Sequence, residues 1–287
     1  MEPLSVSLAK DVGKEIAKNA LMAIPAVRAL RSRSQRTTHS DPKVQARQIS
    51  EEFEFFMSAL GSVQGKRVME IGPGDTIGLA PLFLRAGAVE YIAFDRFLGD
   101  IYGEHAVALY RELGVEIQEL RERVTVRPIS IEQAEPSKEE MADVIVSFNV
   151  IEHLSDPRAA IANMAKLLAP NGSMVHRVDY SPHDVWRTYQ NELAFLTFPD
   201  WMWRLMGSNR GYPNRVRHVE MLACMQQNGL TVSHRVTRSF RQSDLEAIRA
   251  SLSERFIMFD DEDMLVMVAE YACARDIQIE LGKSYPG

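Results

Sequence analysis

Cysteine is nearly missing from this 287-residue chain, with Cys224 and Cys273 its whole complement. Two thiols far apart in sequence and without metal-ligand spacing exclude a disulfide-stapled secreted framework and a cysteine-built zinc site. Both read as reduced, packed thiols, so the expected compartment is the cytoplasm. No apolar run reaches the roughly 18–20 residues that a spanning helix needs, and the first residues lack a signal peptide's compact apolar stretch and cleavage site. The expectation is a chain neither secreted nor threaded through a membrane. Internal repeats and low-complexity tracts are absent, and so is a basic excess: 33 Lys and Arg stand against 39 Asp and Glu, a net charge of -6. That balance speaks against a general nucleic-acid binder.

What is present is ordinary globular composition, 46% apolar and 25% charged, long enough for one large α/β domain with additions or for two small domains. Residues 1–50 carry nine basic and four acidic side chains, so the positive charge gathers at the N-terminus. There Leu8, Val12, Ile16, Ile24, Val27 and Leu30 recur at helical spacing, with Lys10, Lys14, Lys18, Arg28 and Arg31 between them and Pro25 as a break. A basic amphipathic segment of this kind packs on its own domain or on a second subunit in a homodimer, or lies on the inner face of an anionic membrane. Residues 32–42 read as a linker or lid and 44–60 as a second helix. The organisation expected is a helical arm or lid over 1–60 followed by one domain over 61–287.

Beyond Gly65, short β-branched runs alternate with longer helical stretches. Strands are predicted over 67–71, 91–94, 124–128, 143–148 and 173–178, and helices over 77–86, 103–113 and 158–168. A helix over 218–228 and strands over 231–237 and 264–272 follow. This rhythm is that of an α/β fold with a parallel sheet and crossover helices. Residues 179–217 interrupt it with a dense run of aromatics, Pro, His and Arg, as an insertion over a site would.

The first chemical signal is Glu70-Ile71-Gly72-Pro73-Gly74, a strand entering glycines ahead of a helix. Such a loop lets a ligand approach the backbone at a strand's carboxyl end. Dinucleotides and S-adenosylmethionine both use this geometry. Glu70 discriminates between them, because a carboxylate there repels a pyrophosphate and favours an ammonium or sulfonium. The third glycine of the dinucleotide fingerprint falls at Ile77, which weakens that reading further. Asp95, just past the second strand, is placed to accept ribose hydroxyls from either cofactor. Arg96 and Phe97 are placed to flank an adenine, and Ile129 and Ser130, after the third strand, to meet its edge.

The run Ala142-Asp143-Val144-Ile145-Val146-Ser147-Phe148-Asn149-Val150-Ile151-Glu152-His153-Leu154, followed by Leu167-Leu168-Ala169-Pro170-Asn171-Gly172-Ser173, adds the decisive pattern. Together with Glu70 to Gly74 it resembles the class I S-adenosylmethionine-dependent methyltransferase family over roughly residues 60–180. The resemblance implies a Rossmann-like seven-stranded, mostly parallel sheet with an antiparallel last strand. It also implies S-adenosylmethionine as cofactor, held by Glu70, Ile71, Gly72, Pro73, Gly74, Asp95, Arg96, Ile129, Ser130 and the strand-end Asn149. Thr76 departs from the pattern, standing where many members carry a third glycine. Residues 174–184 and 211–217 are similar to a bacterial branch associated with glycan, glycolipid or natural-product tailoring.

The implied reaction is methyl transfer to a small-molecule or lipid-linked acceptor, by O-methylation of a sugar, glycolipid or related product. N-methylation, a nicotinamide-dependent oxidoreductase and a non-catalytic partner of the same fold are the alternatives. A hydroxyl acceptor calls for a base, and histidine suits that task at neutral pH. His183 in the insertion is the first candidate, His153 the second and His176 the third. Asp179, Asp184, Tyr212, Asn214 and Arg215 are the candidate acceptor contacts, Arg215 for an anionic acceptor. Glu152-His153 also resembles part of the Glu-x-x-Glu-His motif of metal-dependent quinone-ring methyltransferases, with Asn149 in place of the first Glu. A divalent cation is a secondary reading on that ground, and no metal is expected.

Overall fold

A computed structural model of the chain describes residues 6–24, 26–27, 41–136, 141–183 and 191–285. Helices α1 (Val6–Met22) and α2 (Pro42–Leu60) lie ahead of the first strand. Asp41 starts the second, accepting the Lys43 N–H at 2.9 Å with Pro42 in the first turn, where its missing N–H costs nothing. The alternating stretch then gives β1 (Arg67–Ile71), α3 (Leu79–Arg85), β2 (Glu90–Phe94), α4 (Glu104–Glu112), α5 (Ile117–Arg123) and β3 (Val124–Arg127). It continues with β4 (Ala142–Phe148), α6 (Pro157–Leu167) and β5 (Leu168–Asp179), followed by α7 (Asp200–Gly207) and α8 (His218–Gln227). The chain closes with β6 (Thr231–Ser239), α9 (Gln242–Ile248), α10 (Asp261–Met264) and β7 (Val266–Ala274).

The strands form one seven-stranded sheet in the order β3-β2-β1-β4-β5-β7-β6. β1 to β5 pair in parallel, while β7 runs antiparallel to β5 from Ser173↔Ala274 to Asp179↔Val268. The Rossmann-like sheet with an antiparallel last strand is therefore what the chain builds. Val144, Ile145 and Val146 are fully buried and β7 is buried at all nine positions. That is the signature of strands covered on both faces, and it explains why they read as continuous apolar runs.

α5, α7, α9 and α10 were not expected. Each has ten residues or fewer, and α5 and α9 are mostly polar (IQELRER, QSDLEAI), so neither offers the repeated apolar spacing that reveals a helix in sequence. β5 starts five residues before its expected beginning because Leu168 already pairs with Ala142, with an irregularity before Ser173 resumes the register opposite Val144. Among the described residues, no helix is long and apolar enough to cross a membrane.

Chain contacts divide the fold into two compact units. One comprises residues 40–179, 219–237 and 268–287, the other residues 1–39, 180–218 and 238–267. In the first, α2 belongs to the core: Phe55 and Phe56 are buried, with ring centroids 6.1 and 6.3 Å from Phe148 at the end of β4. Phe53 meets Phe83 of α3 edge-on at 5.1 Å. The second unit is helical. Phe195, Trp203 and Tyr212 pack ring against ring at 5.8 and 5.1 Å, and Asn19 of α1 donates to the Leu205 carbonyl at 2.9 Å.

Arg217, fully buried, organises the helical unit by donating to the carbonyls of Met264 at 3.0 Å and Val266 at 2.7 Å. It also reaches the carbonyls of Tyr180 and Asp263, each at 3.4 Å. Arg217→Met deprives these buried acceptors of a charged donor. It is expected to cost about 3 kcal/mol, read as a lowered midpoint in urea unfolding followed by circular dichroism.

Candidate active site

The strand order reverses between β1 and β4. After β1 the chain moves outward to β2 and β3, then crosses back to place β4 on the other side of β1. Crossovers on either side of such a point lead away from each other, which opens a crevice at the carboxyl ends of the two strands. Gly72 and Gly74 sit at that end of β1 with φ +75 and +73, the left-handed region that glycine adopts without steric penalty. At Gly72 the reason is also spatial, since a Cβ would stand 2.5 Å from a Val150 methyl. Gly74 differs, because nothing lies within 4 Å of where its Cβ would be, so the backbone there is open to a ligand.

Asp95 follows β2 and closes the arrangement. Its Oδ2 accepts the Gly74 N–H at 2.8 Å and its Oδ1 the Phe97 N–H at 2.7 Å. Each oxygen keeps a further lone pair for a ribose hydroxyl. Arg96 is exposed, its guanidinium 4.3 Å from the centre of the exposed Phe97 ring. After β3, Ile129 is exposed, whereas Ser130 is buried and donates to Glu132 at 2.6 Å.

Glu70 is buried on β1 beneath these glycines and accepts from the Tyr91 hydroxyl. Burial pushes its carboxyl up to about 8, against the lowering effect of the Tyr91 bond. Glu52, on the same face of α2 as Phe55 and Phe56, is also pushed up by burial, to about 7, with Arg177 opposing. The donor set therefore fits S-adenosylmethionine: an open glycine backbone, a carboxylate for the ribose, and buried acids that gain from a cationic group. A pyrophosphate would have Glu70 beneath it, where an anion gains nothing.

At the end of β4, Asn149 adopts φ +54, and its side-chain oxygen accepts from Arg177 at 2.6 Å. The Arg177 guanidinium lies 4.9 Å from the Phe148 ring centre and 5.2 Å from that of Tyr285. Tyr285 reaches this position because Glu270, fully buried on β7, accepts from its N–H at 3.0 Å, from Ser284 at 3.2 Å and from Arg235. Sequence reasoning missed Glu52, Arg177 and Tyr285. Glu52 was legible as a position on the buried face of a helix, but no local signal reports that the chain after β7 returns to the strand ends.

The three histidines have different surroundings. His176 is fully buried on β5, its Nδ1 2.8 Å from the Ser147 hydroxyl, and burial brings its imidazole down to about 3. It is uncharged across the physiological range and shut away from solvent. His153 ends a single 3-10 turn, Ile151–His153, directly after β4. The neighbouring Glu152 is buried, accepts the Asp179 N–H at 3.3 Å, and is pushed up to about 8 by burial. Asp179 is the last residue of β5 and is half-buried. The Asn149 oxygen, at the position of the metal motif's first carboxylate, already accepts from Arg177.

In the helical unit, His183 is half-buried with φ +54. Asp184 lies outside the described residues. Tyr212 is buried, its hydroxyl donating to Glu15 at 2.5 Å and accepting from Arg210 at 2.7 Å. Asn214 turns its oxygen onto the Val216 N–H at 3.0 Å. Arg215 is buried and donates to the Phe195 and Phe198 carbonyls at 3.0 and 2.6 Å and to Asp200. These bonds make Tyr212 and Arg215 fasteners of the segment that carries them, while Asn214 and His183 are half-buried, with the His183 Nε2 atom itself buried.

A family model described as "Methyltransferase domain" matches residues 43–235, more than half of the chain. A ubiquinone biosynthesis O-methyltransferase of Alkalilimnicola ehrlichii is 27% identical over 122 residues, 42% of this chain and 45% of that protein. The chain thus matches less than half the length of this curated relative. Among solved structures, an S-adenosylmethionine dependent methyltransferase from Mesorhizobium loti is 14% identical at TM-score 0.44, covering 75% of this chain and 93% of that one. Haemonchus contortus phosphoethanolamine N-methyltransferase 2, in complex with S-adenosyl-L-methionine, is 12% identical at TM-score 0.49, with 79% and 52% covered.

Two results are expected from this geometry. Asp95→Ala should weaken S-adenosylmethionine binding at least about tenfold, as one charge-assisted hydrogen bond is lost, measured by calorimetry. Glu70 binds its proton more tightly folded, at about 8, than at its ordinary 4.5. Its contribution to stability is therefore full below about 4.5 and is lost as pH rises through 8. Glu70→Gln should raise the melting temperature of the cofactor-free protein at pH 8 relative to pH 5, while weakening cofactor binding.

Proposed function

The chain belongs to the class I S-adenosylmethionine-dependent methyltransferase family, and we propose that it methylates a hydroxyl oxygen of a small molecule, with a sugar, a glycolipid or a related natural product as acceptor. The observation that carries the cofactor half of this reading is the Gly72–Gly74 backbone closed by the Asp95 carboxylate over a buried Glu70. For the acceptor half, support comes from the polar and aromatic segment 179–217 and from the relative named for O-methylation, 27% identical over its matched part.

Bound S-adenosylmethionine supplies an electrophilic methyl group on a sulfonium. The rest of the task is positioning, because the acceptor oxygen must stand in line behind that methyl. Asp95 orients the ribose through its remaining lone pairs. Glu70 holds negative charge beneath the cation, and the ionised carboxylate is favoured once a positive group lies near it. His183 would hold the acceptor's proton at an imidazole nitrogen, and His153 is the second candidate for that role. His176, uncharged and fully buried, is the weakest of the three. Asp179 and Asn214 are proposed as contacts to acceptor hydroxyls, with segment 179–217 as the acceptor insertion of a domain over 61–287.

The test begins with calorimetry in which S-adenosylmethionine, S-adenosylhomocysteine and NAD are titrated in parallel. Binding of the two sulfur compounds without NAD is expected, and NAD binding alone would return the chain to the oxidoreductase reading. A screen of sugar and glycolipid acceptors with radiolabelled methyl donor follows, and the position of the label separates O- from N-methylation. With an acceptor in hand, His183→Ala should lower kcat about a hundredfold or more while leaving cofactor affinity unchanged. An unaltered kcat would pass the role to His153.

A further inference from the structure

We propose that the outer faces of α1 and α7 together form a docking surface for an anionic lipid bilayer. Both helices belong to the helical unit. The inner face of α1, at Val12, Glu15 and Asn19, is buried. Its outer face carries Lys10, Lys14 and Lys18 in one row, with Ala17 and Leu21 beside it and Ile24 just past the helix end, Leu21 being 55% and Ile24 47% exposed. On α7, Trp203 and Met206 are buried, while the opposite side presents Trp201 at 60% and Leu205 at 49% exposure, one turn apart, with the exposed Arg204 beside them. Folding of the unit leaves these large apolar groups in water.

A buried polar network holds the two helices as one piece. The Asn19 amide donates to the Leu205 carbonyl at 2.9 Å and to the Ser208 hydroxyl at 3.2 Å, and its oxygen accepts the Asn209 N–H at 2.8 Å. Glu15 accepts from Tyr212 and from Arg210, and these bonds, with one from Lys18, hold its carboxyl at about 2 although burial acts to raise it. These bonds fasten the inner face of α1 to the C-terminal part of α7, while the Leu21 and Leu205 side chains stay exposed.

Charge selects the occupant. The unit holding this strip has sixteen basic and thirteen acidic side chains, whereas the rest of the chain has seventeen and twenty-six. The exposed cations beside these apolar groups are Lys10, Lys14, Lys18 and Arg204, in a protein that is negative as a whole. Lys14 and Lys18 each have an acidic neighbour, Asp11 at 3.2 Å and Glu15 at 2.7 Å, and Lys10 and Arg204 extend the row. An exposed tryptophan and leucines edged by lysines suit an interface plane, where rings and alkyl stems enter the acyl boundary and ammonium groups meet phosphate. A second copy suits the surface less well, because a two-fold contact would bring the lysine row against itself.

Flotation of the full chain with phosphatidylcholine vesicles, and with vesicles containing about one quarter phosphatidylglycerol, tests the proposal. The chain is expected to float with the anionic vesicles, to stay behind with the neutral ones, and to be released as salt is raised. Leu21→Asp with Trp201→Asp should lower partitioning at least about tenfold. Lys10→Gln with Lys14→Gln should lower it about 25-fold. Unchanged melting and unchanged S-adenosylmethionine affinity in the variants show that each remains folded. Wild-type chain left in solution with anionic vesicles overturns the proposal, as does flotation of the Asp variant equal to wild type. A lipid-free dimer that the Asp variant dissociates also overturns it, assigning the face to a second copy.

Discussion

The hydrogen bond from the Gly74 N–H to Asp95 is the constraint on which the candidate site depends. It ties the loop after β1 to the residue after β2 at 2.8 Å, so two loops that would otherwise diverge form one rim. Both residues are determined by it. Gly74 must hold φ +73 with open space on its Cβ side, and Asp95 must keep its oxygens directed at backbone donors while retaining lone pairs for a ligand. The Phe97 N–H, accepted by the second oxygen, fixes the carboxylate plane. A site built this way is pre-organised, which lowers the ordering cost of binding.

Beneath that rim lies an arrangement that is unfavourable without a cation. Glu70 and Glu52 are carboxyls pushed well above their ordinary range by burial, and nearby acids reinforce the effect. Burying an acid where it resists ionisation lowers stability at neutral pH, a common feature of sites that bind charged ligands. Arg177 is the compensating charge within this unit, held between Phe148 and Tyr285 and bonded to Asn149.

The helical unit solves a different problem with similar means. Its chain comes from three separated segments, and buried arginines fasten parts of it, within and between segments, by meeting carbonyl oxygens that helices and strands leave unused. Arg217 serves segment 238–267 in this way and Arg215 the carbonyls around Phe195–Phe198. A guanidinium suits such joints because it offers five donors in a rigid plane. The dense Arg-Val-Arg run that marks the insertion in sequence is thus largely a set of internal fastenings.

By itself, the sequence determined the seven strands and the longer helices, because burial on both faces writes itself as apolar runs and helix packing as 3.6-residue spacing. It also determined the glycine loop after β1, since positive-φ glycines beside a strand-end acid are a local requirement legible at fixed spacing. Tertiary structure alone decided which polar residues are free for chemistry. Tyr212 and Arg215 read as acceptor contacts, yet their donors meet Glu15, Asp200 and two carbonyls, partners distant enough in sequence that no local pattern reports them. His176 differs for the same reason, its neutrality following from its place in the sheet interior. Tyr285 joins the strand-end cluster only because Glu270 of β7 gathers the returning chain. Local geometry is encoded over a few residues, whereas burial and charge pairing depend on which distant segments meet.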